Sequence, residues 1–468
     1  MTTVYYASQL GAALDSDVYR GGGTDDTAIL QAVLDKAKDD DNGVCLVMDG
    51  ASLITGLELY SNTTIRCLDK SCGFYLADHS DRAVVANARR DNETIRTRNI
   101  TLEGGTYNQN APGQAHHIVD EEKFYHGHGV MEDATLVVAL FFVGVENLLV
   151  RDLTIVDQRT YAFLASNWNH VDIDRVRIEL PARVHGQNQD GFHFFGPGRF
   201  LNIRNVSGRT SDDFIALAPD ENDDESSIED VLIDGVMLDD ADQAIRMLCH
   251  AKGRLDRVTV RNVTGTYRSF GFFLNPFWPS SEGSYGRITF DNIDLRQTAI
   301  DYEYTPSFLF RIGGRIESLT LRNIVYHRPN DDRGLVDVGW QFYSDQLPIA
   351  PEQETRIGSL LLEGIQVYET SAAPSGGYVK IKQSHISHLA VRNVDIIQSG
   401  SAASEAPFLQ LLEGADVELC SVRGITAPFL PCLIEANAGR IGRLILSDVQ
   451  ISSESGEVIG SGVGTQIR

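Results

Sequence analysis

Three carboxylates in this 468-residue chain stand out by type and spacing. Asp190 lies in Asn188-Gln-Asp-Gly-Phe192, and Asp212 and Asp213 are neighbours in Ser211-Asp-Asp-Phe214. Carboxyl groups that share a site repel one another when ionised, so at least one keeps its proton to a higher pH than usual. A protonated carboxyl near an ionised one can perform two tasks: donating a proton to a leaving oxygen and activating a water. Cleavage of a glycosidic bond needs both. A lone Asp-Asp is more often a turn whose oxygens satisfy backbone amides. The elements that carry these aspartates set them apart from that reading.

Those elements are a repeat of the form apolar-x-apolar-x-(Asn/Asp/Gly/Arg)-apolar. It reads Val258-Thr-Val-Arg-Asn-Val263, Ile288-Thr-Phe-Asp-Asn-Ile293 and Leu319-Thr-Leu-Arg-Asn-Ile324, with further copies on both sides. The third residue of each copy gives the series Leu102, Val150, Ile173, Ile203, Ile233, Val260, Phe290, Leu321, Leu362, Val391, Val422 and Leu446. Alternating apolar residues specify short strands. Units this short leave no room for the crossover helix of a doubly wound sheet or an α/β barrel, and propeller blades are longer and antiparallel. The pattern predicts an all-β right-handed parallel β-helix, one domain over residues 1–468, with an N-terminal cap at 1–45 and coils over 100–450. The two longest intervals in the series are expected to hold loop insertions.

Stacked coils turn sequence spacing into proximity. Asp190, Asp213 and Gln243 fall in one expected column, and Gln189, Asp212 and Asp242 in the next. His193, Ala216 and Arg246 make a third. Asn188 is placed to orient Asp190, and Arg246 to anchor sugar hydroxyls or a carboxylate. Trp278 and Phe277 offer ring faces for a sugar, or else plug a loop; Tyr161 and Trp168 carry the same ambiguity.

The remaining features bound the reading. The net charge of −25 excludes a nucleic-acid partner, and no apolar run is long enough to cross a membrane. Gly21-Gly-Gly-Thr-Asp-Asp-Thr27 predicts a turn into a capping helix, with Thr24 or Asp25 as its cap and Ile29, Leu30, Val33, Leu34 and Ala37 as its apolar face. No lysine follows these glycines as a phosphate-binding loop requires. The six cysteines form no CxxC pair; free buried thiols are expected, with Cys67–Cys72 as the one candidate bridge. No cofactor or metal is expected, although His126 and His128 make a conceivable ligand pair. Asp220-Glu-Asn-Asp-Asp-Glu225 reads as a solvated acidic loop. No signal peptide is visible, which places the chain in the cytoplasm unless a leader has been removed. The oligomeric state is open.

The sequence resembles the pectate-lyase-like β-helix superfamily, and within it is most similar to family 28 glycoside hydrolases, the polygalacturonase and rhamnogalacturonase group. Gly22-Gly-Thr-Asp-Asp-Thr-Ala-Ile-Leu-Gln-Ala32 resembles the family's cap, Asn188-Gln-Asp-Gly its Asn-x-Asp-Gly motif, and Asp212-Asp213 its Asp-Asp motif. The resemblance spans residues 20–300. It implies an inverting glycosidase with Asp212 as acid and Asp190 and Asp213 sharing the base role, with a carbohydrate as the partner. Two family motifs, Gly-His-Gly and Arg-x-Lys, are missing, and His193 stands where the family often carries another Asp. The missing basic pair and the acidic chain argue against a galacturonan substrate. A lyase, epimerase or glycosyl-transferring enzyme on the same scaffold remains an alternative, as does a non-catalytic carbohydrate-binding fibre.

Overall fold

The computed structural model describes residues 2–38, 42–115, 137–181, 188–249, 251–276, 281–298, 308–328, 334–339, 354–370, 376–398, 406–436, 438–451 and 466–467. The chain is a right-handed parallel β-helix whose backbone divides into two compact units, Met1–Asp242 and Gln243–Arg468.

The first unit opens with strand Thr3–Tyr6, laid parallel to Val44–Met48, and the helix Thr27–Leu34. Leu30, Val33 and Leu34 are buried as expected, whereas Ile29 is only half-buried. Neither expected cap residue holds the helix end. Asp26 precedes the first turn, and its carboxylate accepts from the amides of Ala13 and Leu14 and from the Ser52 hydroxyl. Tertiary demand for that carboxylate outweighs helix capping, and Asp25 instead closes a local turn onto Thr27.

Beyond the cap, Leu102, Val150, Ile173, Ile203 and Ile233 are paired in register from coil to coil, and all are buried. The 48-residue interval from Leu102 to Val150 leaves that register unbroken; residues 116–136 of the loop insertion expected there lie outside the described residues. The polar residues flanking these strands have a backbone reason. Asn99, Asn147 and Asn205 take left-handed φ of 60°, 58° and 54°, bending the chain where most residues would be strained. Their amides also stack: Asn147 donates to Asn99 at 3.1 Å, and Asn99 to Asn62 at 2.8 Å.

In the second unit the series continues as Val260, Phe290, Leu321, Leu362, Val391, Val422 and Leu446, again paired in register. Phe272, Phe290 and Phe310 fill this coil interior, with ring centroids 4.7–5.3 Å apart. Outside it lies a group of buried arginines that periodicity does not reveal. The Arg328 guanidinium is 3.3 Å from Glu369, both side chains are fully buried, and the Tyr378 hydroxyl donates to the same carboxylate at 2.8 Å. All six cysteines are free thiols, Cys67 and Cys72 among them.

Candidate active site

Two neighbouring strands of the first unit carry the aspartates. Phe192–Phe195 pairs with Asp213–Ala218, placing Phe192 beside Ile215 and His193 beside Ala216. Extended one step further by the Gly191 amide, which donates to the Asp213 carbonyl at 2.9 Å, this register puts Asp190 next to Asp213, as the 23-residue spacing predicts. The second expected column is also linked. The Ser211 amide donates to the Gln189 carbonyl at 3.3 Å, and that of Asp242 to the Asp212 carbonyl at 3.2 Å. Gly191 allows the approach, because a Cβ there would sit 2.3 Å from the Phe214 carbonyl oxygen. That gives the glycine of the Asn-x-Asp-Gly motif its physical reason.

Along Phe192–Phe195 side chains alternate. Phe192 and Phe194 pack on Phe163 inside the coil, while His193 falls on the opposite face. Its Nδ1 lies 2.7 Å from Asp190 Oδ2 and its Nε2 3.2 Å from Glu221 Oε2. Asp190, His193 and Glu221 are 3%, 5% and 5% exposed. The Tyr161 ring stacks on the imidazole at 4.4 Å and 20°, and Phe195 meets it edge-on at 4.9 Å. Beneath, Gln158 donates to the Asp190 carbonyl at 3.2 Å, and Gln189 to the Gln158 carbonyl at 3.0 Å.

Burial pushes the Asp190 carboxyl up, the nearby charge of Asp212 adds to the rise, and the His193 bond opposes it; the outcome is about 7. Burial works against a charged His193, but its hydrogen bonds to Asp190 and Glu221 overcome it and raise the imidazole to about 10. Asp212 is partly exposed, the most open of the three aspartates, while Asp213 is buried.

The other expected site residues are distributed as follows. Asn188 is half-buried in a left-handed turn, φ 46°, and its side chain makes no hydrogen bond among the described residues; His193, not Asn188, orients Asp190. Asp242 is buried at the end of the first unit. Gln243 and Arg246 open the second unit, both buried, with the Arg246 guanidinium 4.6 Å from the Phe273 ring centre. Trp278, Phe277 and the histidines at 116, 117, 126 and 128 lie outside the described residues. Trp168 is a core residue, 2% exposed, whose Nε1 donates to the Phe195 carbonyl. Glu221 overturns the solvated reading of its loop. Asp220, Glu221 and Asn222 are buried, because the turn after Asp213–Ala218 folds them in, and only Asp223 and Glu225 are exposed. The feature that could have flagged Glu221 was a histidine three residues past a catalytic-type aspartate, which needs a second anion if it is to stay charged.

No protein-family model matches this chain, and no curated protein does. Solved structures do match. A family 28 exopolygalacturonase of Yersinia enterocolitica superposes with a TM-score of 0.50 at 11% identity, over 100% of this chain and 77% of that one. A hyperthermoactive exopolygalacturonase of Thermotoga maritima gives 0.51 at 13%, over 90% and 91%. A tailspike mutant of E. coli bacteriophage HK620, solved in complex with a pentasaccharide, gives 0.51 at 11%, over 95% and 74%. At such identities the likeness is one of fold: this chain has the right-handed parallel β-helix found in family 28 exopolygalacturonases and in phage tailspikes.

Proposed function

We propose that this protein is an inverting glycoside hydrolase acting on a polysaccharide or oligosaccharide. The observation that carries the reading is the carboxylate set itself. Asp190 stands in register with Asp213 one coil away, and Asp212, adjacent to Asp213 in the chain, is the more exposed carboxyl. Burial raises the Asp190 carboxyl to about 7, near the working pH, where a base takes up a proton efficiently. Asp212, the more exposed carboxyl, protonates the glycosidic oxygen. Asp190, with Asp213, withdraws a proton from a water on the opposite face of the sugar, and the configuration inverts. Within the first unit, Asn188, His193 and Asp242 are the residues assigned to sugar binding. The net charge of −25 favours a neutral or weakly acidic polymer over galacturonan.

The test is product analysis on neutral and acidic polysaccharides, comparing the parent with Asp212→Asn. New reducing ends that vanish in the variant support hydrolysis. An ultraviolet-absorbing product makes the protein a lyase. One observation favours a second reading, carbohydrate binding without turnover: Asp190 and Asp213 are only 3% and 7% exposed. Retention of unchanged oligosaccharide by parent and variant alike would select it.

A further inference from the structure

We infer that Glu221 and His193 form a buried charge relay, in which Glu221 is a positioning residue that keeps His193 doubly protonated and thereby fixes Asp190 as an oriented, ionised base. This rests on the hydrolase reading for its role in turnover but not for its chemistry.

The geometry requires an extra proton. Both ring nitrogens of His193 lie within hydrogen-bond distance of a carboxylate oxygen, Nδ1 to Asp190 and Nε2 to Glu221. A neutral imidazole has one N–H and one bare nitrogen, which would face a carboxylate lone pair to lone pair. Two protons must therefore be shared among the three groups: on the ring, or one on the ring and one on a carboxyl. With all three nine-tenths or more buried, the doubly protonated ring between two carboxylates makes both contacts charge-assisted. The face of Tyr161, 4.4 Å from the imidazole, favours the cation further. The charged groups around Asp190 are His193, Asp212, Glu221 and, one coil on, Asp213.

The relay gives the site a definite proton path. When Asp190 takes a proton from the attacking water, the proton on His193 Nδ1 no longer meets an anion. Transfer of the Nε2 proton to Glu221 leaves a neutral imidazole between two protonated carboxyls, and the charge balances at every stage. Glu221 touches neither substrate nor water in this scheme; it acts through His193.

The experiment has two readouts. Histidine labelled with 15N, assigned by comparison with His193→Gln, reports the ring directly. In the parent both nitrogens of His193 should stay protonated through pH 8, and in Glu221→Gln, which keeps the shape and loses the charge, one proton should come off at least one pH unit lower. A neutral His193 at pH 7 in the parent overturns the relay, whatever the activity. The second readout is turnover against pH on whichever polysaccharide the parent cleaves. Glu221→Gln should lower kcat about tenfold or more with KM little changed, and should move the acidic limb upward, because Asp190 then lacks its full cation. An unchanged profile and kcat overturn the positioning role. If no substrate is cleaved by the parent, the hydrolase reading fails while the labelled-histidine result still decides the relay. If Glu221→Gln does not fold, the parent's His193 signal alone decides it.

Discussion

Asp190 and Asp213 stand side by side on successive coils, joined by the Gly191 amide, which donates to the Asp213 carbonyl at 2.9 Å. The contact requires a residue without a side chain between them. In Gly191→Ala the new methyl would meet the Phe214 carbonyl oxygen at 2.3 Å and the Ile178 Cδ1 at 2.9 Å. Backbone cannot yield as a flexible side chain can, so the two coils must part. We expect a stability loss of about 1–3 kcal/mol and a fall in turnover of about 100-fold from the misplaced carboxylates. Urea midpoints and kcat measure the two effects separately.

The charged pair at the site also sets a pH dependence of stability. The native His193 holds its proton up to about 10, whereas a free imidazole releases it near 6.5. Its contribution is therefore complete below about 6.5 and is lost as the pH climbs through the folded value. Asp190, raised to about 7, works in the same direction at lower pH: the unfolded carboxyl gives up its proton first. Between pH 6.5 and 9 the parent should therefore lose more stability than His193→Gln does. Denaturation curves at a series of pH values check this, and parallel losses would mean that the native ring is neutral.

Phe290 is fully buried against the rings of Phe272 and Phe310, which stack on each other. In a stack held on both sides by backbone pairing, neighbours cannot collapse into the space a deleted ring leaves. Phe290→Ala should cost about 3–5 kcal/mol, read as a lowered urea midpoint.

The Arg328–Glu369 pair offers a sharper contrast. Both side chains are fully buried. Glu369→Gln removes a carboxylate facing a buried guanidinium and should cost about 3–5 kcal/mol. The double variant Arg328→Met/Glu369→Leu should recover most of that loss, since apolar groups of similar volume need no counter-charge. Thermal unfolding of the three proteins makes the comparison.

Much of this architecture is legible in the residues. The marker series from Leu102 to Leu446 is apolar at every position, and within each unit it pairs in register, because strand alternation leaves one way to bury those side chains. The asparagines of the repeat mark left-handed bends for the same local reason. The Asp190–Asp213 neighbourhood follows from a spacing that equals one coil. What could not be read depends on where non-repeating chain folds back. Glu221 belongs to a turn, and nothing in its acidic surroundings distinguishes the member that is buried against His193 from those left in water. Asp26 is taken from the helix end by Ala13, Leu14 and Ser52, contacts made across the cap. Arg328 and Glu369 are the exception: they pair in register on strands whose markers are Leu321 and Leu362, so the repeat implies their adjacency, though not the burial of the charges.

The register of the second unit has a mechanical consequence. Hydrogen bonds between coils run in the stacking direction, while the covalent chain runs around each coil. Tension applied at a chain end therefore loads one row of bonds at a time, and each rupture releases a complete loop of chain. The 30 residues from Val260 to Phe290 would supply about 100 Å of slack. Under force this unit lengthens in discrete steps, dissipating work at each one, and behaves as a ratcheted tether rather than a stiff strut.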